Sequence, residues 1–309
     1  MIDNYLEMYK NCTLCPRKCN ASRLDGVNGY CGCSSALKVS RAALHMWEEP
    51  CISGKNGSGA VFFAGCPLHC IYCQNHEISD GHAGREISLE RLVEIFFNLK
   101  SQGAANINLV TPTHYTPHIA AALSIAKKRG LSLPVIINTS GYERTETLEM
   151  LRGLADVFLP DFKYSNSATA SLFSKAPDYP DVAMNAVRKM YELVGDPSFD
   201  PETGYIQKGV IVRVLVLPGH TNEAILTIRS LYEAFGDSIY ISIMSQYTPV
   251  LADSMPAGSE YESLKRTLTH REYDKVVNHA LNLGLKNAFI QEGKVCLESF
   301  IPPFNEEGV

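Results

Sequence analysis

Cys66, Cys70 and Cys73 fall together in the stretch AGCPLHCIYCQNHEIS, residues 64 to 79, directly after the apolar run Ala60-Val61-Phe62-Phe63. Thiolates are nucleophiles and soft metal ligands, so three of them on one loop point to metal. A structural zinc site needs four ligands, usually as two close pairs, and here His69 or His76 would have to supply the fourth. A 4Fe-4S cluster held by three thiolates leaves one iron without a protein ligand, which makes it a reactive site. Inert buried thiols are the remaining reading.

A second array opens the chain: Cys12, Cys15 and Cys19, then Cys31 and Cys33. It reads as a zinc knuckle on Cys12, Cys15, Cys19 and Cys31, as an auxiliary iron-sulfur cluster, or as free thiols. A metal is preferred over none, with zinc and iron-sulfur left open. The ferredoxin order Cys-x-x-Cys-x-x-Cys is missed by one residue. Cys51 and Cys296 are taken as structural thiols; for His45, Trp47, Glu48 and Glu49, a buried seam between the N-terminal segment and the body explains the Trp as well as a substrate role would.

The composition agrees with a metalloenzyme. In a reducing cytosol, ten cysteines are free for metal or catalysis rather than for disulfides. With 309 residues and 45% hydrophobic content the chain can bury a substantial core, which excludes global disorder. A net charge of -5 gives no basic stripe, so nothing points to nucleic acid. The polar start MIDNYLEMYKNCTLCPRKCN and the lack of a long apolar run point away from a signal peptide and a membrane and toward a cytoplasmic protein.

The elements that must hold these thiols alternate along the chain. Strands are expected at 60–64, 107–111, 135–138, 157–161, 210–216, 239–244 and 288–291, with amphipathic helices at 88–102, 117–129, 181–194, 223–235 and 270–283. The last opens with a Thr269 to Glu272 capping box and should bury Tyr273, Val276, Val277, Ala280 and Leu281. This is the pattern of β-α units around a parallel sheet, and the count alone does not decide between a barrel and an open sheet. The Gly-rich SGKNGSG, 53–59, reads as a joint; the polar loop 195–209 reads as decoration or a substrate-facing insertion.

Ligands of β-α folds gather at the carboxyl ends of the strands. There the chain has Thr111-Pro112-Thr113, Asn138-Thr139-Ser140-Gly141-Tyr142, Asp161-Phe162-Lys163 and Ser245-Gln246-Tyr247. Inside VIVRVLVLPGH, alternation turns Arg213 to the face opposite Val212 and Val214, so this charge needs a partner in the interior. Local alternatives exist for each: turn residues at Asn138 and Gly141, a proline turn at Thr111 to Thr113, a surface ion pair at Asp161 and Lys163.

CPLHCIYC resembles the Cys-x-x-x-Cys-x-aromatic-Cys signature of radical S-adenosylmethionine (SAM) enzymes. Its surroundings are similar to the pyruvate formate-lyase activating enzyme-like branch with N-terminal extensions. The resemblance implies a partial (β/α)6 TIM-like barrel over 56–309 with a Cys-rich extension over 1–55. It implies cluster ligands Cys66, Cys70 and Cys73 whose open iron is chelated by SAM, cleaved reductively to a 5'-deoxyadenosyl radical that abstracts hydrogen. It places Tyr72 against the adenine, and Thr111, Thr113, Asn138, Asp161, Lys163, Arg213 and Gln246 around the cofactor. The branch's Gly-Gly-Glu-Pro and Pro-Tyr-His runs are missing at Thr111 and Ser245. A glycyl-radical enzyme as substrate and a flavodoxin or ferredoxin as electron donor follow from the branch. The alternatives are radical modification of another peptide or protein, or of a small molecule; outside catalysis stand an iron-sulfur electron carrier and a zinc-structured binding module.

Overall fold

The computed structural model of the chain describes residues 5–291 and 301–309. Ten strands lie among them: β1 Lys38–His45, β2 Ser58–Phe63, β3 Arg85–Glu86, β4 Ile107–Val110, β5 Val135–Thr139, β6 Val157–Pro160, β7 Ser198–Phe199, β8 Ile206–Leu215, β9 Tyr240–Met244 and β10 Ala288–Ile290. The helices are α1 Pro50–Ser53, α2 His76–Ser79, α3 Leu89–Ser101, α4 Thr116–Lys128, α5 Thr145–Glu149, α6 Ser167–Ser174, α7 Tyr179–Val194, α8 Thr221–Phe235 and α9 His270–Asn282. No helix among the described residues is long and apolar enough to cross a membrane.

The pairing order is β10-β9-β8-β6-β5-β4-β2-β1-β3, with β7 on β8. From β2 through β10 this path is parallel, whereas β1 joins β2 antiparallel and β3 joins β1 antiparallel. The order does not close, so the sheet is an incomplete barrel. Its curvature is visible in one carboxylate: Glu48 is bonded from Asn108 on β4, Asn138 on β5 and Arg213 on β8. In a flat sheet β4 and β8 would stand three strand spacings apart, about 14 Å.

Period-2 alternation sorts the strand residues into two layers. Ile137, Phe158, Val210, Val212 and Val214 pack outward in the main core beneath the helices. Ile136, Val157, Leu159 and Ile211 face inward, where they meet Cys51 and Ile52 of the segment between β1 and β2. This segment plugs the barrel's amino-terminal end. Ile52 is fully buried, and its carbonyl accepts from Asn106 Nδ2 at 2.7 Å. Tyr205 braces the plug from outside, its hydroxyl accepting from the Lys55 N–H at 2.8 Å.

All seven expected strands and all five expected helices are present, with ends displaced by a few residues. Ser88 caps α3 by accepting from the Arg91 N–H, and the Thr269/Glu272 capping box forms at α9. Two expectations need correcting. Leu281 is 56% exposed, because it lies past the stripe of Tyr273, Val276 and Ala280 that faces the core. Loop 195–209 is partly strand: β7 returns on the start of β8 as a hairpin, and Ile206 is buried in the inner layer. Cys296 lies outside the described residues.

Candidate active site

At the carboxyl end of β2 the chain turns through Gly65, at φ +89°, into the thiol loop. A Cβ on Gly65 would stand 2.5 Å from Cys33 Sγ and 2.7 Å from the Cys31 carbonyl, so only glycine fits where the N-terminal segment backs this loop. His69, also left-handed at φ +54°, sends its Nε2 to the Tyr30 carbonyl at 2.8 Å. Arg17 donates to the Pro67 carbonyl at 2.8 Å and to the Ser174 carbonyl at 2.8 Å, fastening the loop to the end of α6.

Cys66, Cys70 and Cys73 are each partly buried. Burial and the neighbouring Cys70 push the Cys66 thiol up to about 11, and burial with Cys70 and Cys66 pushes Cys73 up to about 12. Thiols that resist ionisation in this way become thiolates when a metal takes the proton's place, and the Lys163 ammonium reaches both of them. Cys70 Sγ accepts from Ser174 Oγ at 3.0 Å. Tyr164 and Ser174 hydroxyls meet at 2.6 Å, and Tyr72 and Tyr164 hydroxyls at 2.8 Å. A metal-bound thiolate only accepts, so it orients this whole chain: Ser174 gives to Cys70, Tyr164 to Ser174 and Tyr72 to Tyr164. The donor set fits an iron-sulfur cluster: three soft sulfurs on one loop, one with an aligned hydroxyl donor.

A cavity of about 190 Å³ opens beside the loop, lined among others by Cys70, Tyr72, Cys73, Asn138, Asp161, Lys163, Arg213 and Gln246. Thus nearly every residue expected around the cofactor is brought together. Thr111 and Thr113 stand outside this lining; the Thr113 hydroxyl is buried and donates to Glu143 Oε1 at 2.8 Å. A larger surface groove of about 640 Å³ is lined by Arg144, Glu146, Lys189 and Glu192, away from the thiol loop.

Arg213 organises the cavity's charges. Its Nε donates to Asp161 Oδ1 at 2.9 Å, Nη1 to Glu48 Oε2 at 3.1 Å and Nη2 to Asn138 Oδ1 at 2.6 Å. Lys163 Nζ holds the other oxygen of Asp161 at 2.7 Å. Burial alone would raise the Asp161 carboxyl, but the guanidinium and the ammonium outweigh it and hold the carboxyl below its usual range. Part of the guanidinium fork stays free, enough to receive a carboxylate. Asp161 and Lys163 offer a matching acceptor and donor to an amino acid's head group. Tyr179, fully buried, fixes the ends of β5 and β6 together, bonding the Ser140 and Asp161 carbonyls.

Sequence reasoning missed Glu48 as a site residue. His45, Trp47 and Glu48 all line the cavity, and Trp47 is 54% exposed rather than buried in a seam. The buried members are the carboxylates: Glu48 accepts from Asn108 Nδ2 at 2.9 Å and from Asn138 Nδ2 at 3.2 Å, and Glu49 is pushed up chiefly by burial. The signal was the parity of Asn108, Asn138 and Arg213, three polar residues facing inward with too few strand partners to satisfy them.

Three comparisons with known proteins bear on this site. The sequence profile of the Radical SAM superfamily matches residues 60–232. An uncharacterized protein of Methanocaldococcus jannaschii is 27% identical over 285 residues, spanning 90% of this chain and 76% of its own. Among solved structures, SuiB of Streptococcus suis bound to the precursor peptide SuiA superposes with a TM-score of 0.52 at 14% identity, covering 74% of this chain and 47% of SuiB. The FeFe-hydrogenase maturase HydG of Carboxydothermus hydrogenoformans gives 0.51 at 13% identity, over 78% and 55%. The chain thus spans about half the length of these two structures, and at such identity they speak for the fold.

Proposed function

The chain belongs to the radical SAM superfamily, and from that premise we propose that it activates a partner protein by abstracting hydrogen from a backbone glycine, as a glycyl-radical activating enzyme does. When bound, a 4Fe-4S cluster and SAM supply the superfamily's chemistry, reductive cleavage of the sulfonium and hydrogen abstraction by the adenosyl fragment. Cys66, Cys70 and Cys73 hold the cluster. Asp161, Lys163, Arg213, Asn138 and Gln246 orient the amino-acid end of SAM, and the backbone at Tyr72 lies along its adenine.

The observation that carries this reading is the single cavity in which Asp161, Lys163 and Arg213 converge beside Cys70 and Cys73. Its size bears on the substrate. Its free volume of about 190 Å³ is narrow, below the range usual for a drug-sized ligand. A backbone glycine on an extended segment reaches such a space with minimal bulk. SuiB, which shares the fold, is seen with a peptide, and this supports a polypeptide substrate. The electron comes from a flavodoxin or ferredoxin.

The experiment mixes the anaerobically reconstituted, reduced protein and SAM with a candidate glycyl-radical protein. The expected result is a glycyl radical signal in electron paramagnetic resonance that Cys70→Ala abolishes. Consumption of SAM with no such signal from any candidate would move the substrate to another peptide or to a small molecule.

A further inference from the structure

The carboxyl end of α6 is bonded to the thiol loop at several points. The Ile71 N–H, between Cys70 and Cys73, donates to the Phe173 carbonyl at 2.9 Å, and Arg17 bridges the carbonyls of Pro67 and Ser174 at 2.8 Å each. Ser174 is the last residue of α6. A serine within a helix commonly returns its hydroxyl to the carbonyl one turn earlier. Here the hydroxyl leaves its own helix instead, and its Oγ stands 3.0 Å from Cys70 Sγ.

The surroundings leave that hydroxyl little choice. Ser174, Tyr164 and Phe173 are fully buried and Tyr72 nearly so, which keeps bulk water from competing for the row of hydroxyls. Phe173 walls the row, its ring centroid 6.2 Å from that of Tyr72 and 6.3 Å from that of Tyr164. A buried hydroxyl has one proton and gives it to one acceptor. Tyr164 can place its proton on Ser174 at 2.6 Å and Tyr72 its proton on Tyr164 at 2.8 Å, so the Ser174 proton is left for the sulfur. Each donation polarises the next and strengthens the last bond of the row. The three thiols are not treated alike: Cys66 Sγ accepts from the Leu68 N–H at 3.4 Å, and among the described residues only Cys70 of the three meets a side-chain hydroxyl.

We propose that Ser174, aligned by Tyr164 and Tyr72, sets the reduction potential of the cluster held on Cys66, Cys70 and Cys73. Hydrogen bonds to the sulfurs are among the factors that fix such potentials. An added electron increases the negative charge that the sulfurs carry, so a donor aimed at one of them favours the reduced form and raises the potential. Ser174 is a positioning residue in this scheme: it stands outside the cavity lining and acts through the Cys70 sulfur. Tyr72, at the other end of the row, does line the cavity, so the hydroxyls run from the cavity wall back to the ligand. The inference rests on the reading that these three thiolates hold the cluster, and it is independent of what the enzyme acts on.

The experiment takes the full chain, reconstituted anaerobically with iron and sulfide and kept free of SAM. It is poised with mediators at a series of potentials, and the reduced cluster is read by electron paramagnetic resonance. The expected result is a lower midpoint for Ser174→Ala, an about tenfold loss in the reduction equilibrium or about 59 mV for one electron. Tyr164→Phe, which keeps the Ser174 donor but removes the one behind it, should shift the midpoint less and in the same direction. Electron-nuclear double resonance should show an exchangeable proton coupled to the reduced wild-type cluster and missing from Ser174→Ala. Equal midpoints in Ser174→Ala and wild type overturn the proposal. Should Ser174→Ala take up no iron, Tyr164→Phe decides: a lowered midpoint supports the proposal and an unchanged one overturns it. SAM cleavage with equal midpoints sinks this inference alone, the expected shifts without SAM cleavage sink the functional reading alone, and a wild type that assembles no cluster sinks both.

Discussion

Arg213 is paired with two carboxylates and an amide, all largely buried, so its removal leaves Asp161 and Glu48 as buried charges with fewer counterparts. Breaking such a cluster from one side costs about 4 kcal/mol, and Arg213→Met should lower stability in urea unfolding by that order. Glu48→Gln, which keeps an acceptor for Asn108 and Asn138, should cost less than half as much. Equal losses would show that Glu48 is not bonded as described. Glu143 carries a second prediction. Burial lifts its carboxyl from the usual 4.5 to about 7, against the hydrogen bonds from Thr113 and Thr139. In the folded state it stays protonated up to about 7, whereas unfolded it ionises from about 4.5. The fold therefore loses stability as pH rises between these values, by about 3 kcal/mol in full, and stays penalised above. Glu143→Gln should flatten the fall of Tm between pH 5 and 8; an unchanged slope would place the titration elsewhere.

The parallel strands and their helices were legible because each carries its own period, and Arg213's inward direction followed from parity alone. The partner of that charge was not legible. Glu48 arrives from β1, an antiparallel strand whose sequence KVSRAALH has no clean alternation, followed by a plug whose pairing is entirely long-range. The Thr113 hydroxyl likewise turned to Glu143, the residue just after the expected turn 138–142 and thirty positions from Thr113, a contact no local spacing encodes. The plug makes its own prediction: Ile52→Ala empties a fully buried site between α1 and the inner strand layer, at a cost of about 3 kcal/mol in unfolding. A change within error would mean the plug is loosely seated. At the thiol loop, Gly65→Ala should lower the iron bound after reconstitution, since a Cβ there displaces Cys33 and the Cys31 carbonyl; full iron occupancy would show that the loop can shift aside.

At the scale of the molecule, an incomplete barrel carries the thiol loop at the mouth of its first parallel strand, and polar and charged side chains converge on the same cavity from β5, the end of β6, β8 and the segment after β9. The N-terminal segment is built into both ends of this design. It backs the thiol loop through Arg17, Tyr30 and Cys31, and it closes the barrel floor through Glu48 and Ile52. The central claim is that this arrangement cleaves SAM reductively at Cys66, Cys70 and Cys73. The direct measurement is 5'-deoxyadenosine formed from SAM by the anaerobically reconstituted chain under dithionite. The account predicts 5'-deoxyadenosine from the wild type and none above background from Cys70→Ala; a wild type that carries iron yet forms none, or an undiminished yield from Cys70→Ala, would contradict it.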